Sequence, residues 1–268
     1  MEKTRFYGMQ NDYMFHAVLQ KSPRILKHLV CTLMRLDEKE VTDVILQNPI
    51  ELGKSVSEKD CVLDIKVLLN GAKVINIELQ VRRQKFWPER SLLYWSRSYD
   101  NLGKGQEYSD LKETCHIGIL GFTLFPEDPD FYAEYRIMNQ RTQQCYTDKF
   151  CIRVLDLTQI DKADEATDQK LIKWARIFRT KSEKELQELA GDEEVFQEMA
   201  VTIKELSEDD KIRLQCEARF FYECDMASTR AEGFEEGKSE GIKLGIERSE
   251  KIIKELQEQI KELQRLQK

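Results

Sequence analysis

The chain has 268 residues, which is long enough for one or two domains with a buried core. Hydrophobic residues make up 41% of the chain and charged residues 34%, a balance typical of a globular protein, and no apolar run approaches the length of a membrane span. The net charge of −7 argues against a uniformly basic nucleic-acid binder but is compatible with a locally basic groove.

The cysteines and the first residues of the chain predict a cytoplasmic protein. The seven cysteines form no CxxC pair, which argues against a zinc knuckle or a thioredoxin-like site. Most of them lie in apolar stretches, so we expect buried free thiols in a reducing compartment. The N-terminal residues contain no apolar segment typical of a signal peptide.

The first 160 residues alternate between helical and extended patterns. Apolar residues at three- and four-residue intervals predict two helices within 11–36, the second of which begins at Pro23. Another helix is expected after Pro88, ending near Gly103. The apolar segment 115–125 is typical of a central strand buried on both faces. The segments that look extended are 43–50, 61–69, 73–81, 115–125, 131–138 and 150–157.

After about residue 160 the pattern becomes helical. We therefore predict an α/β core over 1–160, a helical region over 161–230 and a helical tail over 231–268. Ser207 with Asp210 resembles a capping box at one helix start.

Four glycines recur at four-residue intervals in the tail, at 233, 237, 241 and 245. Each costs a helix about 1 kcal/mol relative to alanine, so either a close helix contact compensates or the segment is a linker or a fraying helix, which we favour. The residues that follow fit a heptad seam at Ile246, Ile253, Leu256, Ile260 and Leu263. A short coiled coil and a solvated amphipathic helix both agree with this pattern.

The segments 61–69 and 73–81 flank Asn70-Gly71, which predicts a hairpin. Side chains alternate between the faces of a strand, so Asp64 and Lys66 share one face, opposite Leu63, Ile65 and Val67. In the second strand the polar face carries Asn76, Glu78 and Gln80. Two carboxylates on one face suit a hard divalent cation, although a half-exposed hairpin without function shows the same alternation.

The two acids face one another only in one register. Leu69 must lie opposite Lys73, whereas a two-residue Asn-Gly turn would place Asp64 opposite Ile77. We therefore predict a loop of three or five residues, or a bulge in one strand.

These residues resemble a known family. The core of PD-(D/E)XK nucleases has this order of acids, and the chain resembles more closely the Rpn family of recombination-promoting nucleases, also described as PD-(D/E)XK nuclease family transposases. The resemblance covers about residues 5–160, and the glycine-repeat tail is also similar. The residues that carry it are Asn11-Asp12 with Phe15, Leu63-Asp64-Ile65, Asn76-Ile77-Glu78-Leu79-Gln80, Arg90 with Tyr94, and the run to Ile117.

The resemblance implies a restriction-endonuclease-like core, a mixed sheet flanked by helices, and a metal site. Asp64 and Glu78 would bind Mg²⁺ with the carbonyl of Leu79, and Mn²⁺ or Ca²⁺ are alternatives. Gln80, the third catalytic position, departs from the lysine of the wider superfamily, and a glutamine supplies dipoles in place of a charge. Lys66 either substitutes for that lysine or is a solvated strand residue.

Three further residues have two interpretations each. Arg90 and Tyr94 lie one turn apart on a predicted helix. In one interpretation they bind the phosphate backbone or brace Glu78. In the other, Tyr94 packs in the protein and the aliphatic stem of Arg90 covers it. Asp12 is either a further carboxylate near the metal or, as we favour, a helix cap.

The function implied is metal-assisted hydrolysis of DNA by an endonuclease of recombination or mobile elements, acting as a homo-oligomer, most simply a dimer, without membrane contact. The first alternative is a DNA-binding or assembly protein that keeps the nuclease fold without turnover, as Gln80 and the acidic charge suggest. The second is an inert scaffold whose tail binds a partner. Zinc-protease, nucleotide-loop and hydrolase motifs (HExxH, Walker A, GxGxxG, GxSxG) are absent, and the three histidines are scattered, so we expect packed or solvated histidines.

Overall fold

The computed structural model describes residues 5–50, 52, 64–163 and 169–266. Residues 61–63, which include Leu63 at the start of the predicted hairpin, lie outside this part of the chain. The α-helices are α1 (Asp12–Lys21), α2 (Pro23–Met34), α3 (Trp87–Tyr99), α4 (Gln169–Phe178), α5 (Glu183–Ala190), α6 (Glu194–Glu208) and α7 (Asp210–Leu266). The strands are β1 (Val44–Leu46), β2 (Ile65–Leu69), β3 (Lys73–Gln80), β4 (Glu113–Leu120), β5 (Tyr132–Tyr135) and β6 (Phe150–Asp156).

The six strands form one mixed sheet in the order β1-β2-β3-β4-β6-β5. Strands β3, β4 and β6 are parallel to one another, and the pairs β1–β2, β2–β3 and β5–β6 are antiparallel. Helices cover the sheet, and α3 contacts both β3 and β4. This is the predicted α/β core, in which β3 and β4 bring their residues side by side at the centre of the sheet.

Strand β4 is buried from Thr114 to Leu120, as its apolar sequence predicted. The prediction that this strand extends to residue 125 was wrong. The chain turns at Gly121, where a Cβ atom would lie 2.5 Å from the carbonyl oxygen of Val81. The sequence after the turn is still apolar because Phe122 and Leu124, which lie in a loop, pack against the cluster around Trp87.

The first two helices begin at side-chain caps. The carboxamide of Asn11 accepts a hydrogen bond from the Met14 amide, and Ser22 accepts one from the Ile25 amide before Pro23. The interpretation of Asp12 as a helix cap was therefore wrong, since the residue before it has that role. The Asp12 carboxylate binds the guanidinium of Arg219, whose Nε lies 3.0 Å from both carboxylate oxygens.

Helices α4 and α6 pack against α2, and α6 also packs against α1. The buried indole of Trp174 lies among aromatic rings there, and its Nε1 donates to Nδ1 of His28 at 2.9 Å. The predicted capping box of Ser207 and Asp210 was wrong: Ser207 lies inside α6 and donates to the Ile203 carbonyl at 2.7 Å. The Asp209 carboxylate accepts from the amides at 211 and 212 and caps α7 instead.

The chain divides into two compact units, Met1–Arg219 and Phe220–Lys268. The tail glycines lie within the continuous helix α7, and a Cβ atom at any of the four would meet nothing within 4 Å. The linker interpretation was therefore wrong, and among the described residues no close contact compensates for the glycines. The fraying of this helix stays a prediction. The heptad residues are about half exposed, for example 53% at Ile253, and the coiled coil stays a prediction. In the described part of the chain, no helix combines the length and apolar character needed to cross a bilayer.

Candidate active site

Strands β2 and β3 are joined by a three-residue loop, Asn70-Gly71-Ala72, and Leu69 lies opposite Lys73. The predicted register is confirmed, and of the three predicted ways to reach it, a three-residue loop, a five-residue loop or a bulge, the structure has the first. Asn70 and Gly71 adopt left-handed backbone angles with φ of 48° and 67°, which asparagine and glycine tolerate. The Asn70 carboxamide oxygen also accepts from the amides of Thr42 and Asp43, which ties the loop to the segment before β1.

Continuing this register by one residue places Asp64 opposite Glu78. The Lys66 carbonyl accepts from Gln47 on the β1 side, so the backbone groups of the even-numbered residues here point away from β3. Asp64 and Glu78 therefore form a non-hydrogen-bonded pair, in which Cα atoms lie about 4.5 Å apart and the side chains are close. The two carboxylates share one face of the sheet, as the candidate site requires.

Asn48 fixes the backbone of Asp64. Its Nδ2 donates to the Asp64 carbonyl at 2.6 Å, and its Oδ1 accepts from the Lys66 amide at 2.8 Å. The side-chain amide thus replaces the peptide group that β1, ending at Leu46, would otherwise supply. Sequence reasoning missed this residue; the one signal was an asparagine before Pro49, which cannot donate a backbone hydrogen bond to the sheet.

The two carboxylates are linked through two buried side chains that sequence reasoning did not select. Nδ2 of Asn76 donates to Oδ2 of Asp64 at 3.3 Å and contacts Nδ1 of His116 at 3.1 Å. Nε2 of His116 lies 3.5 Å from Oε2 of Glu78. Asn76 and His116 therefore lie beside the two acids, and the hydrogen bond from Asn76 restrains the Asp64 carboxylate.

His116 was expected to be a packed histidine of a buried strand. It is packed, with the rings of Trp87 and Tyr94 centred 5.9 and 6.2 Å away. It also lies directly across from Asn76 in the parallel pairing of β3 and β4. A polar residue in an apolar strand was the available signal, but only the strand pairing connects it to the acids.

Burial and mutual repulsion set the charge state of the acid pair. Burial and the nearby Glu78 charge raise the pKa of Asp64 to about 7, against smaller lowering effects of Asn76 and Arg90. The Glu78 side chain is 2% exposed and its Oε2 has no hydrogen-bond partner. A buried acid pair with an unsatisfied oxygen is stabilised by a cation, so these residues fit a divalent metal ion.

Arg90 makes the contact that a bracing role requires. Its Nε donates to Oε1 of Glu78 at 2.8 Å, and its guanidinium carbon lies 4.7 Å from the centre of the Tyr94 ring. Arg90 therefore contacts Glu78 and covers Tyr94 at once, so the two interpretations of this pair do not exclude each other. The charge on Arg90 opposes the effect of burial on the pKa of Asp64.

The remaining candidates lie around the end of β3. Gly121 donates its amide to the Gln80 carbonyl, so backbone groups alternate and the Leu79 carbonyl points towards β2, the side of Asp64. Nε2 of Gln80 donates to the Arg82 carbonyl at 3.0 Å. Lys66 lies opposite Asn76 and is partly buried.

The Asp12 carboxylate forms an ion pair with the guanidinium of Arg219. Among the described residues, no three histidine, cysteine, aspartate or glutamate side chains are arranged to hold a metal ion together. The protein therefore offers two carboxylates and a backbone carbonyl at this place. Mg²⁺ commonly binds to one or two carboxylates and completes its shell with water and substrate phosphate.

A mixed sheet flanked by helices, with facing acids on a central hairpin, is the arrangement of a PD-(D/E)XK nuclease fold. The chain belongs to the PD-(D/E)XK nuclease family transposases, since the family matches residues 9–233. Neither curated protein sequences nor solved structures gave a match to the chain.

Proposed function

We propose that this protein is a Mg²⁺-dependent endodeoxyribonuclease that hydrolyses phosphodiester bonds of DNA in recombination or in mobile elements. The observation that carries the proposal is the pair Asp64 and Glu78, which face one another across β2 and β3. Membership of a nuclease family supports the reaction class. A homodimer would suit two-strand cleavage, and this too is a proposal.

In this proposal Asp64, Glu78 and the Leu79 carbonyl bind the cation. A bound Mg²⁺ lowers the pKa of a coordinated water and stabilises charge that develops on the scissile phosphate. Asn76 orients Asp64, and Arg90 orients Glu78, through the hydrogen bonds described above. Residues that hydrogen-bond to metal ligands fix the positions of those ligands, and their loss commonly lowers metal affinity or activity by roughly 10–100-fold.

Gln80 and Lys66 together replace the lysine that the wider superfamily has at the position of Gln80. Because Nε2 of Gln80 is held by the Arg82 carbonyl, its Oε1 is the atom that orients water by accepting a hydrogen bond. Lys66 shares the face of Asp64 and supplies positive charge to the substrate phosphate. The Asp12–Arg219 pair has a structural role, joining α1 to α7.

The test is cleavage of supercoiled plasmid DNA by the purified full chain, in Mg²⁺ and in EDTA. We expect nicked or linear product in Mg²⁺ and intact plasmid in EDTA, and a metal series with Mn²⁺ and Ca²⁺ identifies the preferred cation. DNA binding without cleavage in any metal would support the alternative of a nuclease fold without turnover. Cleavage that survives Asp64→Ala would show that the acid pair is not the active site.

The affinity for the cation is expected to depend on pH. Because the pKa of Asp64 is about 7 in the metal-free protein, binding below that pH must displace a proton, whereas above it the carboxylate is already charged. Affinity should therefore fall by up to about tenfold per pH unit below about pH 7 and level off above pH 8. Isothermal titration with Mn²⁺ at several pH values, in buffers of different ionisation enthalpy, measures the affinity for the cation and the number of protons released. Constant affinity between pH 5.5 and 8 would contradict the assignment of Asp64.

A further inference from the structure

The segment 82–90, which runs from the end of β3 into α3, contacts a candidate site residue at each of its ends. Gln80 donates to the carbonyl of Arg82 at 3.0 Å, and Arg90 donates to Glu78 at 2.8 Å. The residues between these two contacts therefore lie next to the proposed cleavage site.

Phe86 is the exposed aromatic residue of this segment, with 64% of its surface open to solvent, whereas the adjacent Trp87 is buried at 1%. Phe86 occupies the N-cap of α3, and no side-chain hydrogen bond caps this helix. Serine, threonine, aspartate and asparagine are the residues that normally stabilise that position. Neither packing nor capping thus accounts for a phenylalanine here, and such breaks of local rules are expected at functional positions.

The segment that carries Phe86 is rich in cationic residues, although the whole chain carries a net charge of −7. The segment contains Arg82, Arg83, Lys85 and Arg90 against Glu89 alone. The Lys85 ammonium lies 5.3 Å from the centre of the Phe86 ring. Exposed aromatic rings among cationic side chains are the combination with which proteins bind unpaired nucleotides, by base stacking and phosphate attraction.

The position of the ring suits a base close to the scissile phosphate. Arg90 follows Phe86 by one helical turn and its amide donates to the Phe86 carbonyl at 3.1 Å, so the two residues lie on one side of α3. Their Cα atoms are about 6 Å apart along the helix, which is within the reach of one or two nucleotides. The Arg90 side chain contacts Glu78, so Phe86 lies one helical turn from a residue that contacts the acid pair.

We propose that Phe86 stacks on an unpaired base of the DNA beside the cleaved bond, and that the preferred substrate is DNA with unpaired bases there, as in single strands, flaps and the locally unpaired segments of supercoiled plasmid. This inference rests on the proposed nuclease function. In an intact duplex both faces of a base are occupied by its neighbours, so stacking on Phe86 would require the base to leave the stack, at a cost in free energy.

The test measures DNA binding by fluorescence anisotropy in the Asp64→Asn background, which prevents cleavage. The probes are a 20-nucleotide single strand, the blunt duplex of the same sequence, and that duplex with a short unpaired flap. Phe86→Ala is expected to weaken binding of the strand and the flap roughly tenfold to a hundredfold and to leave the blunt duplex unchanged. Phe86→Trp should retain the affinity. Phe234→Ala, at a phenylalanine that is 68% exposed in the tail, is the matched control and should change nothing.

Equal binding of the strand by the Phe86→Ala variant and its parent would overturn the proposal. A lower mass of the Phe86→Ala variant in light scattering, with unchanged DNA binding, would also overturn it, because the ring would then contact a second copy of the chain. If wild-type protein cleaves plasmid in Mg²⁺ while Phe86→Ala binds normally, the stacking proposal fails alone. If wild-type protein cleaves no DNA but the binding difference is found, the nuclease proposal fails and Phe86 remains a base-binding residue.

Discussion

Asp64→Asn is expected to abolish Mg²⁺-dependent DNA cleavage and, at the same time, to stabilise the metal-free protein. The activity should fall about a thousandfold or more, since an amide lacks the charge that holds the cation. The metal-free variant should be more stable than the wild type because Asp64 is buried beside Glu78, and its pKa is raised from 3.8 to about 7. The charged carboxylate therefore destabilises the folded protein, and the neutral amide removes that charge. A variant that loses activity by unfolding would instead become less stable.

The stabilisation should depend on pH. Because the folded-state pKa is raised, the folded protein binds more protons than the unfolded chain between about pH 4 and pH 7. The free energy of unfolding of the wild type therefore falls as the pH rises through that range. In EDTA at pH 8 we expect Asp64→Asn to raise the free energy of unfolding by about 2–4 kcal/mol and Tm by about 5–10 °C. Below pH 4 the difference should vanish, since wild-type Asp64 is then protonated in both states.

Thermal unfolding in EDTA and in Mg²⁺ measures these effects. Mg²⁺ should raise Tm of the wild type and leave the variant nearly unchanged, because a ligand stabilises only the state that binds it. Asp192→Asn, at an exposed acid, is the matched control and should alter neither activity nor Tm. A lower Tm for Asp64→Asn at pH 8 in EDTA would show that the acid pair is not electrostatically strained.

Gly118→Ala is expected to damage both the fold and the site. Gly118 lies opposite Glu78 in the pairing of β3 and β4, and a Cβ atom there would lie 2.2 Å from Cζ2 of Trp87. Trp87 is buried at the start of α3, so it cannot move aside without disturbing that helix. We expect a loss of about 2–3 kcal/mol in the free energy of unfolding, as for other overpacked cores. Cleavage should also fall, because Arg90, one turn after Trp87, would shift from Glu78.

Denaturant unfolding of matched variants separates the steric cause from the loss of a glycine. Gly237→Ala, in helix α7 with nothing within 4 Å of the new methyl group, should cause no loss and a small gain in helix stability. Combining Gly118→Ala with Trp87→Phe should cost less than the sum of the single changes, since the smaller ring makes room. Additive losses in this double-mutant cycle would mean that the methyl group and the indole do not collide.

The hairpin shows how much local sequence can determine. Alternation placed Asp64 and Glu78 on polar faces, and the requirement that they face one another predicted the register that the structure has. It left loops of three or five residues and a bulge open, and the structure has the three-residue loop. Alternation is a property of every strand, so the inference needed no knowledge of what packs on the hairpin. Local propensity similarly located α1 and α2 within about two residues, whereas α3 ends at Tyr99, before the predicted end near Gly103.

Tertiary contacts decided the rest, because the groups concerned are distant in sequence. His116 joins the acids only through the parallel pairing of β4 with β3, and Asn48 reaches Asp64 across a gap of sixteen residues. The apolar pattern 115–125 could not reveal that Gly121 ends the strand against the Val81 carbonyl. The sequence by itself determined which side chains face together along each strand; which strands lie side by side, and hence which polar groups surround the acid pair, depended on long-range packing that no local pattern encodes.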